Sequence, residues 1–227
     1  MRPFAFAIIS IVLALTFAAP AAAQDATPAA EEATPETMAP VTEQVSTSDV
    51  YWFPDTFWSE VAIPDAFSSL VTFEEGASMS LTTTGLEPGH AVTIWWVVFN
   101  NPEHCTNGEA PMRCGEGDLL IAGGDEAVEG TVLAATGHII GPDGAGHFDA
   151  YLATGDTTGV VGVGPGLTNP LGAEIHLVVR THGPPQPGLV GDQVQTFGGG
   201  CNNAPEGTGG EPGDFACTDL QFAFHIQ

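Results

Sequence analysis

Residues 173–183, AEIHLVVRTHG, carry the densest set of reactive side chains in this 227-residue chain. Read with a period of two, the stretch puts Glu174, His176, Val178, Arg180 and His182 on one side. Ile175, Leu177, Val179 and Thr181 fall on the other. One face therefore suits a core, and the other offers acid, imidazole and guanidinium groups. Imidazoles with a carboxylate as ligand or orienting partner suit zinc or copper, and an open coordination position would let such an ion activate water. His176 and His182 are six residues apart, about 20 Å along a strand, so they do not share one ion. A metal site would join His176 to His138, His147 or His225, with Glu174 or Asp149 beside it. The expected metal set is His176, His138 and His147, and the wider binding set adds Glu174, Arg180 and His182. Arg180 would clamp a ligand carboxylate or else form a cross-strand salt bridge. His182 lies about 7 Å along the same face from Arg180, so the fixed positive charge pushes its ring toward neutrality.

Two of these histidines flank Gly141-Pro142-Asp143-Gly144, which reads as a hairpin turn between residues 131–140 and 146–153. A two-residue turn sets His138 opposite His147, whereas a type I turn with a bulge at Gly144 sets Ile139 there instead. His90 and His104 read as loop residues, and His225 as structural or solvated. Calcium held by loop carboxylates around residues 118–129 is a further expectation, so the cofactor expected is a divalent cation: zinc, copper or calcium.

Other chemistries are set aside. The last serine is Ser80 and no G-x-S-x-G occurs, which argues against a nucleophile-elbow hydrolase. The basic side chains other than histidine are Arg2, Arg113 and Arg180, so no lysine can form a Schiff base. H-x-H, H-E-x-x-H and an EF-hand loop are all absent. Gly162-Val163-Gly164-Pro165-Gly166 lacks the lysine and helix of a phosphate loop. A blue-copper site needs a free cysteine, and no methionine follows Met112.

These groups need a frame. Residues 1–23 read as a secretory signal peptide: Arg2, an apolar run, then Ala21-Ala22-Ala23 as the cleavage site. Residues 24–49, rich in Ala, Thr, Pro and Glu, read as a disordered linker, either a stalk or a remnant of export. Residues 50–227 read as one domain. The chain is thus expected outside the cell, with no transmembrane segment once processed. A formal net charge of −25 excludes nucleic acid and anionic membrane as natural partners. The partners left are a cell-surface component, a small molecule or a glycan, the last stacking on Trp52 or Trp58. The even cysteine count of an exported chain predicts two local disulfides, Cys105–Cys114 and Cys201–Cys217, with zinc ligation as the alternative.

The 51–58 aromatic cluster is expected to plug one end of the core. Residues 70–73 and 79–83 read as a hairpin about Glu74-Glu75-Gly76. Residues 91–99, AVTIWWVVF, are apolar on both sides and predict a central strand covered on both faces, with Trp95 and Trp96 pointing opposite ways. Residues 219–226 alternate, predicting Leu220, Phe222, Phe224 and Ile226 inward and Gln221, Ala223 and His225 outward. Short helices are allowed near 55–67 and 119–128.

GLEPGHAVTIWWVVFNNPEHC, GTVLAATGHIIGPDGAGHFDAYL and GAEIHLVVRTHGP resemble segments of exported bacterial β-domain proteins of unassigned function. The resemblance spans most of residues 85–225. It implies a secreted β-sandwich and brings no catalytic residues with it. The expected architecture is all-β: an antiparallel β-sandwich, with a closed β-barrel as the alternative, stapled by the two disulfides. The expected function is a non-catalytic binding or cell-surface module. The alternative is a metal-binding protein or metal-dependent enzyme using the 173–182 face.

Overall fold

The computed structural model describes residues 43–53, 61–195 and 217–227. Its strands are β1 (Glu43–Trp52), β2 (Ala62–Phe73), β3 (Gly76–Thr83), β4 (Ala91–Phe99), β5 (Gly130–Ile139), β6 (Gly146–Ala153), β7 (Glu174–Thr181) and β8 (Thr218–His225). One short helix, α1 (Val190–Gln195), lies between β7 and β8. The strands form one antiparallel eight-stranded sheet in the order β5-β4-β7-β8-β1-β2-β3-β6. The sheet curls until its end strands β5 and β6 meet, so the fold is a nearly closed barrel, the alternative to the expected sandwich.

Two apolar clusters hold it. The inner one fills the barrel and includes Val50, Leu70, Leu81, Ile94, Trp96, Leu133, Phe148, Ile175 and Leu177. The outer one joins Trp95, Val97 and Phe99 of β4 to Cys114, Leu119 and Val128 of the 100–129 excursion, with Val132 and Val161. Strand β4 is accordingly buried along its whole length, and Trp96 points inward while Trp95 points out. Each such side chain, fully buried, stabilises the fold by roughly 1.5–3 kcal/mol.

Several expectations need correction. Residues 43–49, read as linker, are the start of β1; Gln44, Ser46 and Ser48 alternate with more exposed neighbours, but their polarity hides the pattern. Ser46 meets His225 inside the barrel, so the inward residues at this end are polar by design of their partners. The 62–67 stretch is strand, not helix, and 119–128 forms 3-10 turns. The β2–β3 hairpin does occur, with Phe73 paired to Gly76. The 131–153 hairpin does not: β5 pairs with β4, and β6 with β3. Its Asp-Gly turn forms, with Gly144 at φ 68°, and accepts Leu86 N–H at the Gly144 carbonyl (3.1 Å). Ile140 is bonded in both directions to the 89–90 turn, which keeps the two strands at opposite edges.

Strand β7 is the hydrogen-bonded neighbour of β4. The β8 faces are reversed. Cross-strand partners share a face, and His225, Ala223 and Gln221 pair with the core-facing Ile175, Leu177 and Val179. Phe222 and Phe224, paired with Val178 and His176, therefore face out. Leu220 does pack on the inner cluster, where a bulge shifts the β7–β8 register. Tyr51 and Phe53 do not plug the barrel end; they lie against Phe222, ring centroids 5.7 and 5.9 Å away. Residues 54–60, with Phe57 and Trp58, lie outside the described residues.

Candidate functional site

The outward face of β7 forms the floor of a groove of about 230 Å³ on the barrel wall. Its sides come from Trp95, Val97 and Phe99 of β4, Val132 of β5 and Phe222 of β8. Met112, Leu119 and Ile121 of the 100–129 excursion overhang it. That excursion is fixed in two ways. The Cys105–Cys114 disulfide closes it, as expected. The buried Asp118 carboxylate then accepts the N–H groups of Thr106 (2.9 Å), Asn107 (3.1 Å) and Gly115 (2.9 Å), with the Asn107 side-chain amide at 2.7 Å. Burial pushes the Asp118 carboxyl upward, but these donors outweigh it and hold it below the ordinary value.

His176 lines the groove floor, and Glu174 lies buried beside it. Glu174 is fully buried and accepts the backbone N–H of Arg113 (3.1 Å) and Cys114 (3.2 Å). His176 Nε2 lies 2.8 Å from Glu174 Oε1, and the Arg113 guanidinium is 3.4 Å from Oε2. Burial again opposes ionisation, yet the hydrogen bond and charge of His176 and the two backbone donors leave the carboxyl below its ordinary value. An ionised carboxylate can only accept, so the Nε2 position of His176 carries the proton. The ring is set edge-on to Phe99, with centroids 5.2 Å apart.

Arg180 forms the cross-strand ion pair: its guanidinium donates to both oxygens of Asp219, the Nη2 bond being 2.9 Å, and lies 3.9 Å over the Trp95 ring. Two planar groups held this way present an ordered, charge-balanced edge to the groove. His182 shares the β7 face but not the site. It is buried, with Nε2 2.8 Å from Thr93 Oγ1 and Nδ1 3.0 Å from Cys217 Sγ. Burial, with the nearby Arg180 charge, lowers its pKa to about 4.

The expected metal set does not converge. His176 is level with Val97 and hence Val132 on β5, whereas His138 is level with Val92, six residues along β5 and about 20 Å away. His138 and His147 sit at the β5–β6 seam, where the His138 ring stacks on Phe148 at 4.4 Å and burial and His147 lower its pKa. His147 is exposed and is held by Thr82 and Asp149, each 3.0 Å away. His90 meets Thr181 (3.3 Å) as a loop residue, whereas His104, exposed, ends the 3-10 turn Pro102–His104. His225 is buried inside the barrel between Ser46 (2.9 Å) and Ser68 (2.7 Å), and burial and the His176 charge lower its pKa to about 4.

Among the described residues, the group of three metal-type ligands that comes within 4.8 Å is Cys105, Cys114 and Asp118. Its sulfurs are bonded to each other and its carboxylate is occupied by N–H donors, so it has nothing to offer a cation. The loop carboxylates 118–129 diverge likewise: Asp125 caps Ala127 N–H and Glu129 accepts from Thr168. Cys217 is not a free thiol, and Cys201, its expected partner, lies outside the described residues. Trp52, a proposed sugar platform, is 39% exposed and sits away from the groove. No described helix is long and apolar enough to cross a membrane.

Of the candidates chosen from sequence, His176 and Arg180 line one groove, and Glu174 is buried beside His176. The residues missed there are Trp95, Phe99, Phe222 and Asp219. Their signal was present, in a strand apolar on both sides and an acid two positions into the last strand. No family model, curated protein or solved structure matches the chain.

Proposed function

We propose that this chain is a secreted, non-catalytic binding module for a small, largely apolar ligand, held in the groove over β4, β7 and β8. The observation that carries the reading is the groove itself: aromatic and aliphatic walls around two convergent polar groups, His176 and the Arg180–Asp219 pair. That composition is what ligand sites share, apolar contact for affinity and a few fixed polar groups for orientation. Secretion is supported by the leader-like first residues and by a disulfide, which persists in oxidising compartments. A binding role rather than catalysis is supported by the lining, which brings no serine, cysteine thiol or lysine beside His176.

The test is titration with a neutral, environment-sensitive naphthylamine dye. Wild-type protein is expected to bind it saturably. Val178→Trp, which places a large ring in the groove floor, is expected to weaken binding at least about tenfold while the melting temperature holds. Equal binding by both proteins would place the site elsewhere.

A further inference from the structure

The groove also carries a chemical preference, and the geometry points to neutral aromatic alcohols and phenols as the ligands, with His176 Nδ1 accepting their hydroxyl proton. This inference rests on the groove being the binding site. Glu174 decides the tautomer. Its oxygens take N–H donors from Arg113 and Cys114 and the Nε2 proton of His176, and being ionised they have none to give. In the neutral ring Nδ1 then keeps its lone pair. Nδ1 makes no hydrogen bond to any described residue, yet it is not sealed away as a buried orphan, and its ring lines the groove. An acceptor fixed by a buried carboxylate and open to an apolar groove asks for a donor on the ligand.

The walls define the rest of the molecule. Trp95 and Phe222 line it with aromatic rings, the fully buried Phe99 backs it, and Val97, Val132 and Val178 fill between them. An apolar cavity of about 150 Å³ is enough for benzene, so 230 Å³ admits a somewhat larger ring system. Charge decides between an aromatic alcohol and an aromatic acid. The one guanidinium in the lining is already matched by Asp219, Glu116 is also in the lining, and the chain carries a formal net charge of −25. A carboxylate would be repelled at a distance and find no unmatched cation on arrival. Glu174 is therefore a positioning residue, acting on the ligand through the imidazole.

The experiment compares naphthol, naphthalene and naphthoate binding to the full chain at about pH 8. Imidazole nitrogen chemical shifts are followed alongside. Naphthol is expected to bind about threefold to tenfold tighter than naphthalene, the worth of one neutral hydrogen bond. It should also move the Nδ1 resonance of His176, and naphthoate should bind weakest. In His176→Leu the ratio of naphthol to naphthalene affinity should fall to about one. Because the ligand pair and the nitrogen shift are read on wild-type protein, a poorly folding variant does not rescue the idea. Equal binding of naphthol and naphthalene, or an unmoved Nδ1 shift, would overturn the hydroxyl assignment and leave the groove standing. Tightest binding by naphthoate would transfer the role to Arg180 and also overturn it. Binding of none of the three would remove the groove reading itself.

Discussion

Acidification should unfold this barrel before most of its carboxylates are titrated, because two imidazoles are buried in neutral form. His182 and His225 have pKa values lowered from 6.5 to about 4, in both cases chiefly by burial. In the unfolded chain each would take a proton near 6.5, so between about 6.5 and about 4 the unfolded state binds more protons than the folded one. Stability from this source is therefore complete above 6.5, falls as pH falls, and stops changing below about 4. A displacement of that size corresponds to about 3 kcal/mol per histidine. The two together approach the 5–15 kcal/mol that typically separates folded from unfolded domains. Glu174 acts lower still: its carboxyl lies below the ordinary value, so its contribution is kept above that value and lost only as pH falls through the depressed one. Relief of repulsion among the surplus acids works in the opposite sense, so wild-type curves alone are ambiguous. The assay is urea unfolding at pH steps from about 7 to about 4, for wild type, His182→Gln and His225→Gln. Each neutral replacement should flatten the curve by up to about 1.4 kcal/mol per pH unit inside the window, whatever its effect on stability at pH 7. Parallel curves for His225→Gln and wild type would refute the argument, as would an imidazole of His182 or His225 titrating near 6.5 in the folded protein.

Replacing Cys105 and Cys114 together with serine should cost up to about 3 kcal/mol, the loop-closure value for a link of this length. It should also weaken naphthylamine dye binding, because the overhang of Met112 and Leu119 and two donors to Glu174 depend on that loop; unchanged binding would show that the loop does not shape the groove. Gly137→Ala should cost about 1–3 kcal/mol, since the added Cβ falls 2.5 Å from the Val194 carbonyl oxygen of α1 and 2.7 Å from that of Val92. Amide exchange should rise in Val190–Gln195 first; exchange confined to β5 would argue against a clash with the helix.

What could be read from sequence depended on whether alternation was visible and on knowing how many cores there are. Strands β4 and β7 were legible because their patterns are strong: β4 apolar throughout, β7 apolar against charged. Strand β1 was not, since Gln44, Ser46 and Ser48 face partners as polar as themselves. The Asp-Gly turn was correctly placed, but local turn chemistry cannot say whether two strands pair or belong to opposite edges. That decision came from Leu86, Gly89 and His90, more than fifty residues upstream of the turn, which bond to its backbone. Within the site, the outward set Glu174, His176 and Arg180 followed from period two alone. The separation of His176 from His138 follows from pairing register, which no single strand carries.

The reversal of β8 is the most instructive of these outcomes, because it links the fold to the site. Alternation separates two faces without saying which is the interior, and the usual rule sends the bulky face inward. Here the interior beside β8 is already filled by Trp96, Leu177 and Val179 from neighbouring strands, and small Ala223 fits among them. The positions on either side of it, Gln221 and His225, then need polar partners inside, and Thr83, Ser46 and Ser68 supply them. The large rings of Phe222 and Phe224 are left for the outer wall. There the 100–129 excursion, built of short 3-10 turns, lays Met112, Leu119 and Ile121 over a wall whose rings, Trp95, Phe99 and Phe222, are buried. What stays open between wall and excursion is a groove with His176, Val178 and Arg180 at its floor. The polar interior and the apolar groove are thus two consequences of one choice of register between β7 and β8.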